Sequence, residues 1–226
     1  MTGSLPPNHL LPAECRQVAP EAAKGTLQPM ASQVRFPITN DEAANDFLVE
    51  NPLALILGML LDQQVPMEWA FRSPHTLAQR LGDRFNATDI AAMDPEDLVA
   101  VFCEKPALHR YPAAMARRAH AVCEHVVDNY RGDPARIWFR ATDGAELYRR
   151  VGEIPGFGEE KAKIFVALLA KRFGKRPEGW AEAVAPFGDD QPRSAADVSS
   201  KERFAEVRAW KKAQKAARKS KAEFSM

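Results

Sequence analysis

Cysteine is scarce in this 226-residue chain and never clustered. Cys15, Cys103 and Cys123 stand far apart without a Cys-x-x-Cys pair. That spacing argues against a zinc site or an all-cysteine iron–sulfur cluster and fits reduced, structural thiols, so no metal or cofactor is expected. Long apolar runs are missing as well. The longest, Pro52 to Leu61, is about half of the roughly 18 residues that a membrane span needs. The first thirty residues lack a basic start followed by an apolar stretch, as a secretory leader would have. These absences lead us to expect a soluble, cytoplasmic protein without membrane association. Net charge is nearly absent too, at +1, and by itself predicts no partner. Period-2 alternation of apolar and polar residues is not found anywhere convincing, which leaves little room for strands.

What is present is helical patterning over a 46% hydrophobic composition, enough to bury a substantial core. Asn40 is expected to cap a first helix, and Asn51 with Pro52 opens a second that is apolar almost throughout. Ser73-Pro74 and Asp94-Pro95 repeat the cap-then-proline signal, and a long helix is expected over about Pro112 to Tyr130. A further helix is expected over TDGAELYRRVGEI from Thr142, and another runs to a stop at Gly174. The expected fold is all-α, with roughly eight to ten helices. The chain divides into a flexible N-terminal extension at 1–33, a helical core at 34–174, an irregular Pro- and Gly-rich loop at 175–199 and a basic helix at 200–226. From Lys201 to Met226 there are nine cationic and three acidic side chains, a net +6 that leaves −5 for the rest. Such a tail either contacts phosphate or forms a solvated helix.

The stretch from Gly152 to Phe165 reads GEIPGFGEEKAKIF. Proline and glycine are poor helix formers, so their placement between two helices, within 145–170, needs a reason. A glycine turn lets the backbone approach another molecule, because no Cβ intervenes. The second helix begins just after Gly158, so its free N–H groups favour an anion. Ile154 and Phe157 are expected to bury beneath the turn while Gly156 and Gly158 face outward. Lys161 and Lys163 lie close by for charge. The arrangement suits a nucleic-acid phosphate held by backbone amides, a contact that fixes register without reading sequence. The bland alternative is an ordinary tight turn between antiparallel helices.

The stretch resembles the helix-hairpin-helix of the HhH-GPD superfamily of base-excision DNA glycosylases, which includes endonuclease III, the adenine-mismatch glycosylases and the alkyl-base glycosylases. Their hairpin typically reads LPGVGxxxA, and IPGFGEEKA matches at the apolar position, at Pro155, at both glycines and at Ala162. Upstream, LILGMLLDQQVPMEWAF from Leu55 is similar to the apolar helix and glutamine turn of the alkyl-base group. HRYPAAMARRAHAVCEHVV from His109 is similar to the long helix that leads to the hairpin. The resemblance spans roughly Pro52 to Gly174. It implies two packed helical lobes with a cleft, and double-stranded DNA carrying a modified base as partner. It also implies that Gln63 or Gln64 enters the base stack or contacts an extruded base, a task suited to an amide with both donor and acceptor. The bland reading of both glutamines is a helix end in solvent.

The chemistry so implied is base removal through a cation-like sugar, assisted by a carboxylate. Bifunctional members add a lysine that attacks the sugar. That lysine's position is occupied here by Glu160, and Lys161 lies about 100° further around the helix, which points to hydrolysis by water without a lysine lyase step. The family's aspartate, in a VDT-like stretch, has no direct counterpart. Counting 18 residues from Glu160 lands on Glu178. Asp197 precedes Val198 and a Ser-Ser cap, which is the context of the family residue, but at longer spacing. Asp197, Glu178 and Asp190 are therefore the candidate catalytic carboxylates, with Asp189 behind them, each otherwise a loop carboxylate or helix cap. Asp62 is an alternative pocket carboxylate. Trp69 and Trp180 are the candidate base-stacking aromatics, ahead of Phe71, Trp138 and Tyr111. The expected function is that of a monomeric, monofunctional DNA glycosylase of base-excision repair, cytoplasmic and nucleoid-associated. The alternative is a non-enzymatic DNA-binding protein that keeps the hairpin without the chemistry.

Overall fold

The structure, a computed structural model, describes residues 34–223, with side chains through residue 217. The extension at 1–33 and the last three tail cations' side chains lie outside this description. Eleven α-helices and two short 3-10 turns occur among the described residues, without a strand. The all-α expectation holds.

The first three helices show how local sequence sets the frame. Helix α1 (Glu42–Glu50) is capped by Asp41, whose side chain accepts from the Ala44 amide, and not by Asn40. Thr39 shapes the entry instead, with its hydroxyl bonded to the Asp41 carbonyl at 2.8 Å and to Asn45 Oδ1 at 2.9 Å. Asn51 caps α2 (Pro52–Leu61) as expected, accepting from Ala54 N at 3.0 Å with Pro52 at the first turn. Every residue of α2 from Leu53 to Leu61 is buried. Burying a Leu or Ile side chain contributes about 1.5–3 kcal/mol, so this one helix anchors much of the core.

Helix α3 (Met67–Leu81) corrects the expected start at Ser73-Pro74, because Pro74 lies inside it. The buried stripe of Met67, Ala70, Phe71, Pro74, Leu77 and Leu81 continues at helical spacing straight through the proline. Packing of that stripe outweighs the one ladder bond that proline cannot make. The Ser73 hydroxyl lies 2.8 Å from the Trp69 carbonyl oxygen and 2.6 Å from that of Leu108, so the serine ties two segments together and does not cap.

Helices α4 (Ala87–Ala92), α5 (Pro95–Cys103) and α6 (Pro112–Tyr130) pack as one group. The short α7 (Arg136–Phe139) leads to α8 (Gly144–Gly152), α9 (Glu159–Arg172) and the short α10 (Trp180–Ala183), which form a second group. Helix α2 contacts α6 of the first group, and its Leu60 carbonyl accepts from Lys161 of α9 in the second. The segment expected as an irregular loop contains α10 and the 3-10 turn Ala195–Asp197, and it contributes Val184, Ala195, Ala196 and Val198 to the core. The last helix, α11 (Lys201–Glu223), is pinned by fully buried Val207. Among the described residues no single helix is long and apolar enough to cross a membrane; α1 and α2 together reach that length but are bent by 115°.

Candidate nucleic-acid interface

The turn between α8 and α9 forms as its residues dictate. Ile154 and Phe157 are buried beneath it, and Phe157 meets Phe165 edge-on at 5.6 Å between ring centroids. The two glycines differ. Gly156 has φ +84°, which favours glycine, and a Cβ built there would come within 2.8 Å of Leu60 Cδ1. It faces the end of α2. Gly158, at φ −74°, would present a Cβ to open space. Among the described residues nothing requires glycine at 158. It precedes α9 as its N-cap without any side-chain capping bond, so the first amides of that helix are left for another acceptor.

Lys161, in the first turn of α9, turns away from solvent. Its Nζ donates to the Leu60 carbonyl oxygen at 2.7 Å. Burial holds the amine well below the ordinary lysine value, at about 8, against the opposing pull of the Asp62 carboxylate. Lys163 instead pairs with Glu159 at 2.8 Å, and that hydrogen bond raises its pKa. Glu160 is exposed beside them.

The glutamine turn separates its two residues just as sharply. The Gln63 amide donates to Leu60 O at 2.9 Å and approaches Met115 Sδ at 3.3 Å, while its oxygen accepts from Arg118 at 3.0 Å. Its hydrogen-bonding groups are committed within the protein. Gln64 is exposed and sits at φ +57°, a left-handed conformation that a non-glycine residue adopts only when its surroundings impose it. The turn is held from one side by His109, which is buried. Its Nε2 lies 2.9 Å from Gln63 O, and its Nδ1 accepts from the Tyr111 amide at 3.0 Å. A carbonyl on one side and an N–H on the other fix the neutral Nε2–H tautomer. Desolvation accordingly lowers the His109 pKa. This histidine rivets the Gln64 turn to the loop bearing Tyr111, a 43% exposed aromatic with the Arg110 guanidinium 5.4 Å above its ring. His109 carries no sequence motif and was not singled out by sequence reasoning.

Between the C-terminal end of α2, the start of α9, the Pro186–Arg193 segment and α11 lies a cavity of about 1030 Å³. Asp62, the C-cap of α2, lines it with its side chain 11% exposed and its Oδ2 3.6 Å from Lys211 Nζ. Lys161 and Gly158 line the same space. The far wall comes from α11 through Trp210, Lys211, Gln214 and Lys215. The basic tail therefore forms part of the site and is not a detached appendage; Arg208 secures it to Glu68 of α3 at 2.8 Å.

The expected carboxylates lie elsewhere. Asp197 is buried and bonded to Lys171 at 2.6 Å, and its other oxygen accepts from the amides of Arg193 and Ser194, each at 3.0 Å. It closes a capping box on the 3-10 turn, a structural position. Lys171 lies ten residues along α9 from Lys161, about 15 Å at 1.5 Å per residue. Glu178 is exposed, and its backbone carbonyl accepts from Gly144 N at 2.7 Å where α8 and α10 meet. Asp190 is exposed, with its carbonyl oxygen bonded by Arg203. Asp189 pairs with Arg193 at 2.6 Å. Neither Trp69, which packs near His109, nor Trp180, beside Gly144, lines the cavity; Trp210 and Phe187 do. Trp210 was missed because a tryptophan in a lysine-rich terminal helix carries no local signal of what it faces.

Against known proteins, residues 57–225 match the model of the HhH-GPD superfamily base excision DNA repair proteins. No curated protein and no solved structure matches the chain.

Proposed function

Given that this chain belongs to the HhH-GPD superfamily of base excision DNA repair proteins, we propose that it is a monofunctional DNA glycosylase, hydrolysing the bond between a modified base and its deoxyribose in duplex DNA. The observation that carries this reading is the convergence of the Asp62 carboxylate, the uncapped start of α9 and a cavity large enough for an extruded nucleotide. Phosphate oxygens would meet the free amides after Gly158. Gln64, exposed on a strained turn, would fill the space vacated by the base, with Tyr111 stacking beside it. Asp62 takes the role first assigned to Asp197, Glu178 or Asp190. It is mostly shielded from water, where a carboxylate stabilises a developing sugar cation more strongly than in solvent. The other cavity acids, Glu159 and Glu160, are exposed, and Glu159 is already paired. A duplex substrate would place the protein on the nucleoid.

The test is a panel of duplexes, each with one modified base, incubated with protein and split with and without alkali. Strand scission only after alkali, abolished by Asp62→Asn in a protein that remains folded, is the expected result. Tight, salt-sensitive binding without excision of any base would instead favour a DNA-binding protein without catalysis.

One observation favours a second reading, a lyase. The Lys161 amine reaches the cavity wall with its pKa lowered to about 8, which enriches the nucleophilic neutral form. Borohydride added during turnover decides between them: a covalent protein–DNA adduct lost in Lys161→Met would establish the lyase, and its absence supports simple hydrolysis.

A further inference from the structure

The cavity's charge and aromatic content bear on which base it takes. Five cationic side chains line it against three acids. Two of the amines, Lys161 and Lys211, act on Asp62, one coupled to it electrostatically and the other paired at 3.6 Å. Lys211 is 40% exposed and keeps donors free for a further partner. Phe187 and Trp210 add two aromatic rings to the walls. Phe187 packs on the hydrophobic core, whereas Trp210 is half-buried without joining it. Gln214 follows one turn later on the same face of α11 and carries an amide with both donor and acceptor.

Resting on the glycosylase reading, we propose that this cavity selects a neutral nucleobase that departs as an anion, such as a deaminated or oxidised base, stacks it on Trp210, and stabilises the departing charge with Lys211. The physical reason lies in the leaving group. A neutral base takes the electron pair of the broken C1′–N bond and leaves with a negative charge, which nearby ammonium groups stabilise. An N-alkylated purine is positively charged before the bond breaks and leaves neutral. A cavity with an excess of cations repels it, and its departure leaves no negative charge for Lys211 to stabilise. The glutamine turn's likeness to the alkyl-base group therefore does not extend to the substrate.

The step balances with water as co-reactant. The C1′–N bond breaks and its electrons stay on the base. The water oxygen bonds to C1′. Asp62 accepts the water proton and passes it to the base anion, which regenerates the carboxylate. Lys211 remains protonated throughout, so the products are the free base and an abasic deoxyribose.

The experiment compares single-turnover excision, each rate divided by the spontaneous rate of the same duplex. One set carries uracil, 5-hydroxymethyluracil or 8-oxoguanine; the other carries 7-methylguanine or 3-methyladenine. At least one neutral base should be excised, and neither cationic base accelerated comparably. Lys211→Met should lower the maximal rate on the neutral base by roughly 100–1,000-fold, as loss of one stabilising donor does. Trp210→Ala should weaken the same substrate, and Trp210→Phe should restore most of the loss. Preferential excision of a cationic base, or neutral-base excision indifferent to both Lys211→Met and Trp210→Ala, would overturn the proposal while leaving the glycosylase reading intact. No excision of any base by the wild type would remove both.

Discussion

The carbonyl oxygen of Leu60 accepts a hydrogen bond from Lys161 Nζ at 2.7 Å, across 101 residues of chain. The same oxygen accepts from the Gln63 amide at 2.9 Å. One carbonyl at the end of α2 thus joins the hairpin helix to the glutamine turn, and both of its lone pairs are used.

The amine in that contact makes stability depend on pH. Lys161 titrates at about 8 in the folded protein and near 10.5 when unfolded. Between these values the unfolded chain binds a proton that the folded chain does not, so stability rises with pH. Below pH 8 both states carry the charge and the burial penalty is complete; above 10.5 both are neutral and it is gone. The wild type should gain on Lys161→Met across this window by up to about 3 kcal/mol, at 1.36 kcal/mol per pH unit. Urea melts of both proteins at pH 7.5 and pH 10 would measure it. A constant difference between the two would show that the amine is solvated.

Gly156→Ala and Gly158→Ala should separate folding from binding. At Gly156 a methyl group meets Leu60 in a left-handed backbone, and a loss of about 1–3 kcal/mol is expected. At Gly158 the methyl group meets nothing, so the melting temperature should stay within a degree or two while duplex affinity falls. Equal thermal losses in both variants would mean that Gly158 has an internal role.

Asp197→Asn and Asp62→Asn should trade effects. Asp197 is 3% and Lys171 8% exposed, so neutralising the carboxylate strands a buried ammonium. Breaking such a pair costs about 3–5 kcal/mol. Asp62→Asn removes a pair at 3.6 Å with a half-exposed lysine and an electrostatic attraction to Lys161, so stability should fall by no more than about 1 kcal/mol while excision is lost. Thermal melts and alkali-dependent scission, run on the same preparations, would expose the opposite pattern if the catalytic group were Asp197.

Much of this was legible in the sequence where the signal is local. Asn51-Pro52, the apolar run behind it and Ile154 to Gly158 each dictate their structure through neighbours a few residues away. The Ser73-Pro74 pair misled because a continuous buried stripe, visible only over fifteen residues, overrides a two-residue start signal. The surroundings of Asp197 were hidden for a different reason. Asp197 sits in the sequence context of a cap, yet its partner Lys171 lies 26 residues earlier, and no spacing rule announces the pair. The folding of α11 onto the cavity was hidden likewise, because its lysines read equally well as a solvated face.

The two glutamines offer the sharpest remaining contrast. Gln63 is held by Leu60, Met115 and Arg118, so Gln63→Ala removes three contacts at a junction of α2 and α6 and should cost about 1–2 kcal/mol of stability. Gln64 makes no such contribution and pays for its left-handed backbone with strain, so Gln64→Gly should hold or slightly raise stability. If Gln64 is the side chain that enters the helix, the same substitution should weaken binding to a duplex containing an abasic site by roughly tenfold, the loss of about 1.4 kcal/mol. The strain itself depends on neutral His109. Its pKa is lowered in the fold, so its contribution is complete above pH 6.5 and declines as the pH falls below that value. Protonation would point a second N–H at the Tyr111 amide and loosen the rivet between the two loops. Abasic-duplex affinity of the wild type should therefore drop, as the pH falls below 6.5, more steeply than that of Gln64→Gly, and parallel pH profiles would disconnect the histidine from the glutamine.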